Sequence, residues 1–412
     1  MVNYGGYEEY RYSAIRMVSK LDFKAKRELE NLLAIRSYRD LADLDFIKDI
    51  DRTDMSESTC RKLDSVIGNW DIILKTADEY HEIAVKNGIF AVSSFDHDYP
   101  YNWRGLSGMP EVIYCKGRRD ILRDMVLHGS AAVVGSRNAS KYALFATESF
   151  ATQLSSKGIT IVSGMACGVD RAAHSAAVRQ KGSTVAVLAG GPDKVYPREN
   201  RDIYEQITSE GLVISEMPPG QGVLRQYFPA RNRLIAGLGD CTLIMEAGEI
   251  SGTLHTASYT AAQGKEVFVL PNSIYFEDAK GGMKLLEDGG NVLISPDSVI
   301  DSVSQALLFR RIGNPGYMES LEDEIAEEEV AQQEFKADML VLRKKADMFP
   351  EELDDMDWKF LIEDELSSGP KSIDELCRVL TLPFYRISQL IVALKLEGRV
   401  TDKGGKFALT IC

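Results

Sequence analysis

Between about residues 130 and 270, short apolar runs alternate with stretches of helical periodicity, and this alternation constrains the fold more than any other feature. Ala131–Val134, Thr160–Val162, Thr184–Leu188, Leu212–Ile214, Cys241–Met245 and Glu266–Leu270 lack the strict polar–apolar alternation of a strand with one wet face. Such strands are covered on both sides, as in a parallel sheet with helices on each face. The intervening segments are about 10 to 16 residues of helical pattern, the length of a crossover. Two more short runs, Ile89–Val92 and Val112–Tyr114, precede the series. The pattern predicts an α/β fold with a Rossmann-like parallel-sheet domain over residues 88–302.

The flanks read differently. In residues 1–87, Ile15, Val18, Leu21, Leu29, Leu32 and Leu33, and then Leu41, Leu44, Ile47 and Ile50, recur at helical spacing and predict a small helical (SAM-like) module. Residues 303–356 read as an acidic linker, helical or partly disordered. Met318–Asp357 carries fifteen acids against four bases, a charge of −11 out of the chain's −14. Runs of this kind are solvated spacers. The remainder is close to neutral and has room for a local basic pocket. In residues 357–412 a helix near Trp358–Leu366 is followed by a capping-box pattern at Ser372–Glu375 and by Ile387, Leu390, Ile391 and Leu394 at helical spacing. A hairpin pattern over Arg399–Leu409 completes a winged helix.

No apolar run approaches the roughly 18 residues needed to span a bilayer. The N-terminus has no basic stretch leading into an apolar one, and the six cysteines are scattered without a CxxC pair. These features predict a cytoplasmic protein with no membrane partner, no disulfide framework and no metal site.

A parallel sheet delivers the turns that follow its strands to one edge, where ligands of such folds bind. Four of these turns carry suitable chemistry. Gly135-Ser136-Arg137 offers amides, a hydroxyl and a guanidinium at a helix start, a phosphate cradle in outline. Ser163-Gly164 through Gly168 to Asp170 is a second, Gly190-Gly191 through Arg198 to Asn200 a third, and Ser251-Gly252-Thr253 a fourth. Each is weak alone; together they predict a phosphate-rich ligand. Between them lies Phe228–Leu238, with Arg231-Asn232-Arg233 at a helix entry. Those arginines either fork onto phosphate or pair with carboxylates such as Glu216 and Glu246. Tyr196, Tyr227 and Phe228 either stack on bases or belong to the core.

The order GSR, SGMACGVD with Ala173-His174, the segment from Gly190 through Val195-Tyr196-Pro197 to Asn200, Ser215–Pro219, FPARNRLIAGL and EAG-x-x-SGT resembles the DprA/Smf family, closely over about residues 88–300. The resemblance implies single-stranded DNA binding, protection of incoming DNA and loading of RecA onto it in natural transformation and recombination. It also implies homodimerisation through the Rossmann-like domain, and no cofactor. With the turns above it points to a DNA or phosphate site made of Gly135, Ser136, Arg137, Ser163, Gly164, Gly168, Arg198, Asn200, Arg231, Asn232, Arg233, Ser251, Gly252 and Thr253. Three positions depart from the family's pattern: Cys167 stands where Arg is common, Asn272 where Gly is expected, and Met283 where Asn is usual. The first 87 residues lack the Gly-rich hairpin of a helix-hairpin-helix DNA motif.

Catalytic signatures are missing from the sequence: there is no Walker A, HExxH or GxSxG pattern. Asp170 and His174 lie one helical turn apart, either as acid/base partners or as a capping Asp and a packed His. Glu246 with Ser251-Gly252-Thr253 resembles the turns of Rossmann-like phosphoribohydrolases, and the alternative function is therefore binding or hydrolysis of a small nucleotide. A third reading is a pure interaction protein. The tail sets Arg386, Lys395 and Arg399 against Glu397 and Asp402, a thin basic surface that favours protein docking over duplex readout.

Overall fold

The computed structural model describes residues 7–20, 25, 38–180, 182–402 and 404–409, so Leu21, Leu29, Leu32 and Leu33 of the first helical pattern lie outside the described residues. The chain divides into two units, Tyr4–Asn314 and Pro315–Cys412. The first is built on β1 (Ile89–Ser93), β2 (Val112–Gly117), β3 (Ser130–Val134), β4 (Thr160–Ser163), β5 (Thr184–Leu188), β6 (Leu212–Ser215), β7 (Cys241–Ile244), β8 (Val267–Val269) and β9 (Asn291–Val292). They form one sheet in the order β1-β2-β6-β5-β4-β3-β7-β8-β9. From β6 to β9 every pair is parallel, with Ala131 of β3 between Ile161 and Cys241. Only the pairs β1–β2 and β2–β6 of this sheet are antiparallel, so β2 alone runs against the rest.

Helix α1 (Tyr7–Val18) buries Tyr10, Tyr12 and Ile15 against Ile73, Ala77 and the strand residues Ile89, Ala91, Val112 and Tyr114. The Tyr114 hydroxyl donates to Ser13 Oγ at 2.7 Å, joining the helical segment to the sheet. The helices at the amino-terminal end and the antiparallel strands thus share one core.

Helices α2 (Lys141–Ser156), α3 (Val169–Arg179), α4 (Tyr227–Leu238) and α5 (Gly252–Ala262) cover the parallel strands. Period-two alternation decides which core each strand residue enters. Ala132, Val134, Val162 and Ile244 meet Leu234, Ile235 and Leu238 of α4. Ala131, Val133, Ile161 and Leu243 meet Phe150, Leu154 and Ala173 on the other face. Each fully buried Val or Leu contributes roughly 1.5–3 kcal/mol. Helix α6 (Pro296–Gly313) joins that second face through Val299 and Val303. Its Arg310 is buried, paired with Asp240 and donating to the carbonyl of Val126 at 2.8 Å. Residues 303–313, read from sequence as linker, are therefore held in the sheet unit.

Consecutive strands step from β3 through β4 and β5 to β6 in one direction, whereas β7 to β9 step in the other. The turns after β3 and β7 part at this switch and leave a crevice between them.

In the second unit, α7 (Pro315–Met348) is followed by α8 (Asp355–Ser367), α9 (Ile373–Leu380), α10 (Phe384–Leu396) and the hairpin β10 (Val400–Asp402) and β11 (Phe407–Leu409). Trp358, Leu361, Leu376, Ile387, Leu390, Leu394, Val400 and Phe407 form its core. Both arms of the Ser372–Glu375 capping box are made. Three helices and a hairpin around one core make a winged helix. Among the described residues no single helix is long and apolar enough to cross a membrane.

Candidate functional site

The crevice is a cavity of about 410 Å³. Its walls come from the β3 turn (Gly135, Ser136, Arg137), from α4 (Phe228, Arg231, Asn232) and from the start of α5 (Ser251, Gly252, Thr253, His255). Turns from distant parts of the sequence meet here because β3 and β7 are neighbours in the sheet.

The β3 turn is shaped by close packing. Gly168 has φ +75°, and a Cβ there would lie 2.3 Å from the Ser136 carbonyl oxygen, so only glycine lets the two turns pack. The Val169 N–H donates to that same carbonyl at 3.2 Å. Gly168 therefore supports the cradle from behind. Ser136 Oγ accepts from the Asn138 N–H at 3.2 Å, and Ser251 caps α5 by accepting from the Thr253 N–H at 3.2 Å. The cavity thus faces the amino end of α5, where unpaired amides and the helix dipole favour an anion.

Two guanidiniums lie near the Phe228 ring, Arg137 at 5.4 Å and Arg231 at 5.8 Å from its centroid, and Tyr196 meets the ring edge-on at 5.8 Å. The two differ sharply. Arg137 is exposed, and among the described residues no carboxylate pairs with it. Arg231 is 6% exposed and gives its Nη1 hydrogens to the carbonyls of Gly164 and Val187. Burial pulls its pKa down to about 10, with Asp170 opposing the shift and Arg137 adding to it. A Cβ on Gly164 would lie 2.5 Å from Arg231 Nη1, so the glycine makes room for the arginine.

The remaining site residues predicted from sequence fall outside the cavity. Ser163 is buried and donates to the Val133 carbonyl at 2.6 Å. Asn200 is buried, bonded to the Met165 carbonyl at 2.8 Å and to Arg171 at 3.1 Å. Arg233 donates to Glu216 at 2.7 Å and to the Gly108 carbonyl at 3.0 Å. Arg198 lies in a second recess with Lys116, Lys194, Arg201 and Tyr204. Its turn follows β5, two strands from β3, about 10 Å away at the spacing of paired strands. Of the two readings of the arginine pair, carboxylate pairing therefore holds for Arg233. Arg231 instead binds backbone carbonyls, beside Asp170.

Glu216 also takes Arg16 of α1, at 3.0 Å. The two arginines hold its carboxyl below the usual carboxylate range despite the opposing effect of burial. Arg16 is a supporting residue that sequence reading missed, because its partner lies 200 positions away. His255 and Asp278 were missed too; both line the cavity but belong to no motif.

Two candidate acids are committed elsewhere. Glu246 is 3% exposed, and its carboxylate accepts from the backbone N–H of Ser140 at 3.0 Å and from the Ser140 hydroxyl. It anchors the cap of α2 and does not line the cavity. His174 is fully buried against Thr184 Oγ1 at 2.8 Å, and burial, reinforced by Arg231, pulls its pKa down to about 3. Asp170 accepts from the Ala166 N–H, and burial raises its pKa. The Asp170–His174 pair is therefore structural: Asp170, in the first turn of α3, holds the preceding turn through Ala166, and His174 is a packed ring, while the cap position itself is Gly168 with no side-chain bond. Among the described residues no group of three or more His, Cys, Asp or Glu is placed to hold a metal.

Residues 90–304 match the sequence profile of DNA recombination-mediator protein A, which spans this sheet and its turns. The chain belongs to that family. Among curated relatives of the recombination-mediator family, protein Smf of Synechocystis sp. is 40% identical over 208 residues, covering 50% of this chain and 52% of that protein. DNA processing protein DprA of Bacillus subtilis is 31% identical over 220 residues, 53% of this chain and 73% of that one. The match thus spans about half the length of the first relative. The solved structure of DNA processing protein A from Streptococcus pneumoniae overlays with a TM-score of 0.59 at 28% identity, covering 73% of this chain and 98% of that one. Two departures from the family's pattern meet in space, where the Asn272 N–H points at Met283 Sδ at 3.4 Å.

Proposed function

We propose that this protein is a cytoplasmic single-stranded DNA-binding recombination mediator that holds the strand's phosphates at the Gly135–Arg137 turn. The observation that carries this reading is Arg137: an exposed guanidinium without an acid partner among the described residues, beside the amino end of α5 and over the Phe228 ring. Phosphate recognition needs such donors free in the unliganded state. Phe228 and the neighbouring Tyr196 give a base a surface to stack on without reading its identity. The family's role as a recombination mediator favours a polymer over a small nucleotide. The nucleotide hydrolase alternative loses its acid, because Glu246 is spent on Ser140.

Handing the strand to a RecA-class recombinase during transformation is the finer part of the proposal, and protection of incoming DNA follows from holding the strand. A homodimer through the sheet domain is supported by apolar side chains on and beside edge strand β9: Val292 at 48% and Ile294 at 80% exposure. Exposed apolar clusters of this kind mark association surfaces. Ile294→Glu is expected to shift sedimentation towards the monomer; an unchanged species would remove this surface.

The deciding experiment is fluorescence anisotropy with a labelled oligonucleotide, single-stranded and duplex, across a salt series. Tight, salt-sensitive binding to the single strand and weak binding to the duplex are expected. Binding of neither, with binding of a mononucleotide, would replace the reading by the small-nucleotide one.

A further inference from the structure

His255 lines the cavity yet lies outside every motif that identified the family. It sits in the first turn of α5, four residues after the Ser251 cap, and so shares that residue's side of the helix. Its ring is exposed, and among the described residues it makes no hydrogen bond or ion pair.

The amino end of a helix favours an anion, and a bound anion favours a cation beside it. Imidazole is also the one side chain whose ordinary titration lies near neutrality. The charged groups lining the cavity are Arg137 on the β3 turn, Arg231 on α4, Asp170 on α3 and Asp278, while Glu246 and Glu249 belong to the turn after β7 without lining it. Arg231, Asp170 and Glu246 are already bonded within the protein. Glu249 acts on Lys280. Arg137 and Asp278 are exposed on the wall of the cavity, one favouring an anion and one opposing it.

We propose that His255 is a proton-coupled phosphate contact: a phosphodiester strand entering the cavity draws a proton onto the His255 ring. This rests on the single-stranded DNA reading of the site. By linkage, ligand and proton each strengthen the other's binding, so affinity rises as pH falls through the imidazole range. The phosphodiester itself does not titrate there. A terminal phosphate monoester does, with a second pKa of about 6, and loses charge as pH falls. A small nucleotide would therefore tend to bind less well in acid, the reverse of a strand with no terminal phosphate.

The test measures the affinity of the full chain for an unphosphorylated oligothymidylate from pH about 7.5 to about 5.5, in wild type, His255→Asn, His255→Lys and Asp278→Asn. Wild type is expected to tighten about three- to tenfold, His255→Asn to lose that slope, and His255→Lys to bind well at both ends without it. Asp278→Asn is expected to keep the slope, since the ligand is the anion. An equal slope in wild type and His255→Asn would overturn the inference and leave the DNA reading standing. Loss of the slope in Asp278→Asn would assign the proton to that carboxylate and overturn it as well. Failure of wild type to bind at any pH removes the DNA reading, and this inference with it.

Discussion

The floor and the rim of the cavity use the same side chain for opposite purposes. On the floor, Arg231 is buried and its hydrogens go to the carbonyls of Gly164 and Val187. On the rim, Arg137 is exposed near the same Phe228 ring, with no acid partner among the described residues. A buried guanidinium that has found its acceptors stiffens the sheet edge; an exposed one that has found none is available to a ligand. Both lie in motifs that sequence reading assigned to phosphate. The difference lies in what each donor meets after folding.

That contrast is open to measurement. Arg231→Ala is expected to destabilise the fold by about 3–5 kcal/mol, because two buried carbonyls lose their donor; denaturant unfolding reads it out. A variant that unfolds like wild type but fails to bind DNA would move Arg231 to the rim. Glu216→Ala is expected to cost about 2–4 kcal/mol by stranding Arg16 and Arg233, and Arg16→Ala less, since one partner remains. Were Arg233 a DNA ligand, Glu216→Ala would instead free it and tighten binding.

Arg137→Ala is the opposite case. Stability is expected to change by less than about 0.5 kcal/mol, while single-strand affinity falls by about 1.5–3 kcal/mol and the salt slope drops by about one charge. A clear loss of melting temperature would mean that Arg137 is also structural. Arg198→Ala, in the separate recess, is expected to weaken binding by only about twofold; a loss as large as that of Arg137→Ala would join the two recesses into one strand path.

Acid stability tests the floor from another side. His174 is held neutral with its pKa near 3, below the ordinary imidazole value. Between that value and about 6.5 the unfolded chain binds a proton that the folded one refuses, so stability is full above about 6.5 and is lost as pH falls towards about 3. Replacing His174 by Asn is expected to flatten this part of the pH–stability curve, and an unchanged curve would show that His174 does not control it.

Much of the fold was legible in the sequence because it rests on local patterns. Strands β3 to β8 fall where short apolar runs had been read, since period-two alternation and burial on both faces leave a direct trace. The Ser372–Glu375 cap was legible for the same reason, being a bond between residues three apart. The two-residue strand β9 left no such trace, and its two residues are exposed.

The sequence by itself determined that glycine- and arginine-bearing turns would gather at one edge of a parallel sheet and that their order belongs to the recombination-mediator family. Only the tertiary structure decided which of those residues face the cavity. Gly135, Ser136, Arg137, Ser251, Gly252 and Thr253 meet there because β3 and β7 are adjacent at the switch point. Arg198 stands two strands away, and Arg233 turns to Glu216. The physical reason is that a motif fixes which donors a turn carries, whereas strand order and the nearest buried acceptor, both set by residues far away in sequence, fix where those donors are spent.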